Sequence, residues 1–265
     1  MASETFISYC KDFFDSNQSE TDLDFSKLKE KLLLITPRKL KISPNDDPRS
    51  ITLQMREAVV SNLAINPYFQ QSSDFKFAIF KNLYNLLLTT GHMAEKQHFA
   101  HSVFMLHLSK SDTNTREEWS NFLQTFNTIN LVENKNGELM NMVQDFFRSL
   151  KANALVSNKI GECVGEIIGK NDLGFELNNF LKDALVLNFF ECKISGVRGF
   201  AGIDSIYVNF DELLDLFNKL TELSFAKDIA SSITKLEFLR IYIHEVSHVV
   251  VRKCLNDFNI STPNC

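Results

Sequence analysis

Residues 236–251 read LEFLRIYIHEVSHVVV. As a helix this run is apolar on nearly every side, through Leu236, Leu239, Ile241, Ile243, Val246, Val249, Val250 and Val251. A helix of that kind is buried rather than surface-lying. It carries His244, Glu245 and His248 in the spacing His-Glu-x-x-His. Burying these polar groups without partners costs on the order of several kcal/mol. A metal ion satisfies them together. Residues four apart lie above one another on a helix, so His244 and His248 aim two imidazoles at one point. Zn²⁺ takes neutral imidazole at about 2.0–2.1 Å. Glu245, one residue round, is placed to take a proton from water held there, the chemistry of metal-assisted hydrolysis.

The window around the motif resembles that of the zincin metallopeptidases. Ile241, Tyr242 and Ile243 precede it, Val246 and Ser247 lie inside, and Val249 and Val250 follow. No charge other than Glu245 interrupts it. The resemblance spans about ten residues. It implies a zinc-dependent peptidase acting on a peptide or protein substrate, with His244 and His248 as metal ligands and Glu245 as general base. The competing readings are a non-catalytic helical interaction protein that carries the motif, and a structural metal site with no open position.

The chain has 265 residues, enough for one large or two small domains. It holds only 9 Gly and 5 Pro, so long helices and few tight turns are expected. The net charge of −5 provides no basic surface for nucleic acid. The five cysteines, at 10, 163, 192, 254 and 265, are scattered and odd in number. They suit free thiols in a reducing compartment. No signal-like apolar core and no membrane-length apolar run occurs. The expectation is a cytoplasmic protein without a membrane partner; the sequence leaves the oligomeric state open.

Helices are expected over residues 4–16, 24–35, 50–64, 73–89 and 93–109. Thr115 and Glu118 form a capping box opening another that runs to about Val132. A long helical stretch follows over 138–168, with a break near Asn158 or Gly161. Glu95, His98 and His101 share a helical spacing, but Phe99, Val103, Phe104, Met105 and Leu106 in the same stretch favour ordinary packing over a metal role.

After Asn171 the texture changes. A short helix is expected over 173–184. Residues 186–195 (VLNFFECKIS) and 203–210 (IDSIYVNF) are rich in strand formers and are expected to pair. The stretch 196–199 reads as a turn or loop. A helix over 211–222 and a further short one lead to Thr234 and Glu237, a second capping box that is expected to open the motif helix. In zincins the edge strand of the sheet runs beside the cleft and binds substrate backbone; residues 203–210 are the candidate, with an ordinary hairpin packed on helices as the equal alternative. The fold expectation is therefore an α-dominant α+β protein. A helical domain over 1–170 precedes a zincin-like metal-binding region over 171–265, made of a small sheet and the buried motif helix.

The third zinc ligand is the weak point. Only 17 residues follow His248 (265 − 248). The acid used by one zincin branch lies farther on than this. The other branch uses a histidine six residues after the motif, with a glycine that turns the chain back. Those positions hold Cys254 and Val251, and Val251 resists the left-handed backbone of such a turn. Asp257, Glu191 and Asp204 are alternatives without a motif behind them. The expectation is that none of these completes a standard three-ligand site, as in a shortened or degenerate zincin or a fragment whose remaining domain supplies the acid.

Overall fold

The computed structural model describes residues 11–13, 40–43, 45–65, 94–109, 129–132, 137–192, 196–223, 225–258 and 260. The expected helices over 24–35 and 73–89 and the Thr115–Glu118 capping box lie outside the described residues. The chain divides into two compact units, Met1–Asn127 and Thr128–Cys265.

In the first unit, α1 (Pro48–Ile65) and α2 (Glu95–Ser109) pack against each other. Asp47 opens α1, its carboxylate accepting from the amides of Arg49 and Ser50. Pro48 occupies the first helical position, where its missing N–H costs nothing. Met55, Ala58 and Val59 of α1 and Ala100, Val103 and Phe104 of α2 are buried.

The second unit is α-dominant α+β, as expected. It holds β1 (Asn130–Leu131), α3 (Glu138–Lys151), α4 (Ala154–Ile168), α5 (Leu177–Asn179), β2 (Val186–Glu191), β3 (Gly199–Ala201), β4 (Ser205–Asn209), α6 (Phe210–Glu222) and α7 (Lys227–Leu255). A π-helical turn, Phe180–Ala184, continues α5. The expected boundary at 170/171 is corrected to 127/128. The reason is packing: β1 pairs with β2, and α3 and α4 share one core with α7 through Val143, Phe147, Ile160 and Val164.

The sheet order is β1-β2-β4-β3. Strands β2 and β4 do pair, and they run parallel, Val186 opposite Ser205 and Phe190 opposite Asn209. Strand β3 pairs antiparallel with β4, and β1 antiparallel with β2. Two expectations are corrected here. The edge strand is not residues 203–210: β4 is interior and all five of its residues are buried, while Gly199, read as part of a loop, begins edge strand β3. Asn130 and Leu131, expected to end a helix, form β1 instead.

The break in the 138–168 stretch falls at Asn153, not at Asn158 or Gly161. The Asn153 side chain accepts from the amides of Leu155 and Val156 and starts a new helix. Gly169, at φ 67°, ends α4 in the left-handed conformation that glycine adopts without steric cost.

The second capping box is also corrected. Helix α7 begins at Lys227 and runs 29 residues without a break. Thr234 is wholly buried inside it, donating its hydroxyl to the Ala230 carbonyl. Glu237 accepts from Arg198 and Arg240 instead of capping. The short helix expected after 222 is the first part of α7.

Candidate metal centre

Helix α7 is held on two sides. Its Phe238 and Tyr242 rings meet Phe146 and Phe147 of α3, with centroids 6.2 and 6.0 Å apart. Val246, Val249 and Val250 are wholly buried in the same core. At about 100° per residue, Ile241, Glu245, His248 and Arg252 form a second stripe, and this one meets the end of the sheet. A Cβ on Gly199 would lie 3.0 Å from Ile241 Cγ2 and 3.4 Å from Glu245 Cγ. Only glycine lets β3 come that close to the helix.

Arg252 ties the same stripe down. Buried at 4% exposure, it donates Nη1 to the carbonyls of Ala201 and Gly202, and Nε to that of Ile260. Sequence reasoning missed it. The available signal was an arginine directly after three valines and seven residues after Glu245, hence on the same face of the helix as that acid.

His244 is exposed and His248 is buried, and their Nε2 atoms lie 3.1 Å apart. That separation is hydrogen-bonding distance between the two ring nitrogens. It is also close to the roughly 3.3 Å bite of two imidazoles on a tetrahedral zinc with 2.0–2.1 Å bonds. The two imidazoles thus match a zinc-bound pair in separation.

Glu245 is 4% exposed, and its Oε2 has no hydrogen-bond partner. Burial pushes its carboxyl up to about 8, against a smaller downward pull from Arg252. The same burial lowers Arg252 to about 10, which leaves it charged at neutral pH. One helix thus carries two imidazoles with their Nε2 atoms in close approach and, between them in sequence, a desolvated acid that packs on β3.

The residues weighed as a third ligand lie elsewhere. Cys254 remains on α7, about 120° round the helix from His248. Val251 is buried in an unbroken helical turn. The chain leaves the helix only at Asn256, in the left-handed conformation at φ 47°. Asp257 follows, its amide donating back to the Arg252 carbonyl. Glu191 ends β2 opposite Asn130, with β4 between it and β3. Asp204 precedes β4, its carbonyl accepting from the Val186 amide. Among the described residues no group of three or more His, Cys, Asp or Glu is placed to hold a metal.

In the first unit, Glu95 is exposed at the start of α2, and His98 Nδ1 faces Arg56 Nη2 at 3.1 Å. His98 is therefore engaged with a cation, an arrangement opposed to metal binding at that nitrogen. No helix among the described residues is long and apolar enough to cross a membrane.

Two adjoining hollows, of about 350 and 480 Å³, sit between α3 and the N-terminal half of α7 and share Glu138, Met142 and Lys235. Lys235 lies nine residues before His244, roughly 13 Å along the helix at 1.5 Å per residue. The motif and these hollows are therefore separate features of one helix. No family model, curated protein or solved structure matches this chain, so the zincin resemblance stands on the motif helix alone.

Proposed function

We propose that this protein is a zinc-dependent hydrolase acting on peptide bonds, with His244 and His248 holding the metal and Glu245 as general base. The observation that carries the reading is the 3.1 Å approach of the two Nε2 atoms, on a helix whose intervening Glu245 is buried with an Oε2 that has no hydrogen-bond partner. Zinc would supply Lewis-acid chemistry, lowering the pKa of a bound water towards neutrality.

The chain's own residues account for the rest. The two imidazoles orient the reacting centre. Glu245, protonated at neutral pH when its carboxyl sits near 8, becomes ionised when a dication lies close by. It then takes the proton from water and returns it to the leaving amine. Packing against β3 keeps bulk solvent from one side of that carboxylate. The position of β3 at the sheet edge, next to Glu245, suits an extended substrate lying alongside it.

The test measures zinc content and hydrolysis of unstructured peptides together. The wild type is expected to retain zinc after gel filtration, and His244→Ala/His248→Ala to lose it. Glu245→Gln is expected to keep the metal while hydrolysis falls by about 10²–10⁴-fold. Full hydrolysis in that variant refutes the role of the acid. A zinc-loaded wild type that cleaves no peptide in a broad library refutes catalysis and leaves a binding site only.

A further inference from the structure

Side-chain hydrogen bonds join α1 to α2. Asn62 Nδ2 donates to Ser109 Oγ, and Arg56 Nη2 lies 3.1 Å from His98 Nδ1. The second contact holds a group that titrates near neutral pH. A guanidinium only donates. Nδ1 is therefore the acceptor, and His98 is neutral with its proton on Nε2. That Nε2 is buried with no hydrogen-bond partner, and so is Arg56 Nε.

The contact survives only while the ring is neutral. A further proton has to go on Nδ1, against the N–H that Nδ1 now accepts. The imidazolium then faces a donor with one nitrogen and no acceptor with the other. Turning the half-buried ring out to water relieves it, but takes the acceptor from Arg56, which is 4% exposed. A buried guanidinium left alone is costly.

The surroundings do not compensate. Burial and the Arg56 charge both hold His98 below its ordinary value. On α1, Glu57 is turned about 100° round the helix from Arg56, and Arg49 lies roughly two turns earlier. On α2, Glu95 and Lys96 are exposed to screening solvent, His101 is buried about one turn later, and His107 lies in the last turn.

We propose that Arg56 and His98 form an acid-sensitive latch: protonation of His98 breaks its bond to Arg56, sets two cations against each other, and releases α2 from α1. With its folded value below 6.5, His98 contributes stability that is present above pH 6.5 and lost as pH falls through the folded value. A single proton limits the effect. At pH 5 a group with an ordinary value of 6.5 shifts the equilibrium by at most about 30-fold.

The experiment is hydrogen exchange on the full chain at pH 7 and pH 5, corrected for the intrinsic pH dependence of exchange. The comparison is His98→Gln, whose side-chain oxygen can accept from Arg56 at either pH. On acidification the wild type is expected to lose about 3- to 30-fold more protection in α1 and α2 than the variant does, with α4 of the other unit unchanged. A difference below about threefold, or an equal loss in α4, overturns the latch. A second readout needs no variant. By nitrogen NMR of the wild type, His98 is expected to be neutral at pH 7 with its proton on Nε2, and its titration to coincide with the loss of protection. A ring that is charged at pH 7, or that carries its proton on Nδ1, overturns the latch as well.

Discussion

Glu245→Gln reports on the buried acid without any need for catalysis. With its carboxyl held near 8 in the folded protein and near the ordinary value of 4.5 when unfolded, Glu245 binds more protons in the folded state between those values. Folding stability from this group is therefore fully present below about pH 4.5 and is lost as pH rises through about 8. At 1.36 kcal/mol per unit, the whole window amounts to roughly 4–5 kcal/mol, and the span from pH 5 to 7 to about 2.5 kcal/mol. Arg252, lowered only to about 10, stays charged across that span and adds no slope. The glutamine of the variant does not titrate; its buried amide changes the offset but not the slope. The assay is urea unfolding in EDTA at pH 5, 6 and 7, wild type against variant, so that titrations common to both cancel. The wild type should lose about 2.5 kcal/mol more than the variant over that range. A difference that stays flat within about 0.5 kcal/mol would refute a desolvated carboxyl at this position. Saturating zinc should remove most of the slope, because a nearby dication holds the acid ionised at every pH tested.

Tyr242→Phe should stabilise the protein by about 1–2 kcal/mol in the same unfolding assay, since the Tyr242 hydroxyl is buried with no partner and its removal recovers a desolvation cost; a loss of stability would reveal a bond the hydroxyl makes. Gly199→Ala should cost about 1–3 kcal/mol by thermal melting, because the added methyl meets the Tyr207 carbonyl at 2.9 Å and Ile241 at 3.0 Å. Gly137→Ala, with φ −113° and nothing within 4 Å, is its control and should be near neutral.

The legible parts of this fold are those set by local pattern. The motif helix, the strand-forming runs and the α1 and α2 segments were visible because apolar spacing and residue type decide them. The relation between strands was not. Whether Val186–Glu191 and Ser205–Asn209 run parallel depends on where the chain between them goes, and that intervening Gly-Phe-Ala is too short to carry a strand pattern. Asn130–Leu131 has the same defect. The Thr234–Glu237 pair misled for a different reason. A threonine that can cap a helix can equally donate to the carbonyl four residues back, and only tertiary packing decides which. The approach of His244 and His248 was legible from their spacing alone. Arg252 was not, because its role depends on the carbonyls of Ala201, Gly202 and Ile260, which sequence order does not bring near it.

Asn209 closes the central strand and opens α6, with no exposed surface. Its Nδ2 donates to the carbonyls of Cys192 and Val197, while its Oδ1 accepts from the Asp211 amide. Deamidation would change one group of one side chain from NH₂ to oxygen. Both donors would vanish, and a carboxylate would face two carbonyl oxygens in a buried site. The replacement is nearly the same size, yet it exchanges two buried bonds for two repulsions, a cost on the order of several kcal/mol. Chemical ageing at this residue would thus appear as loosening of the strand-to-helix junction, and slow covalent damage would be converted there into local unfolding.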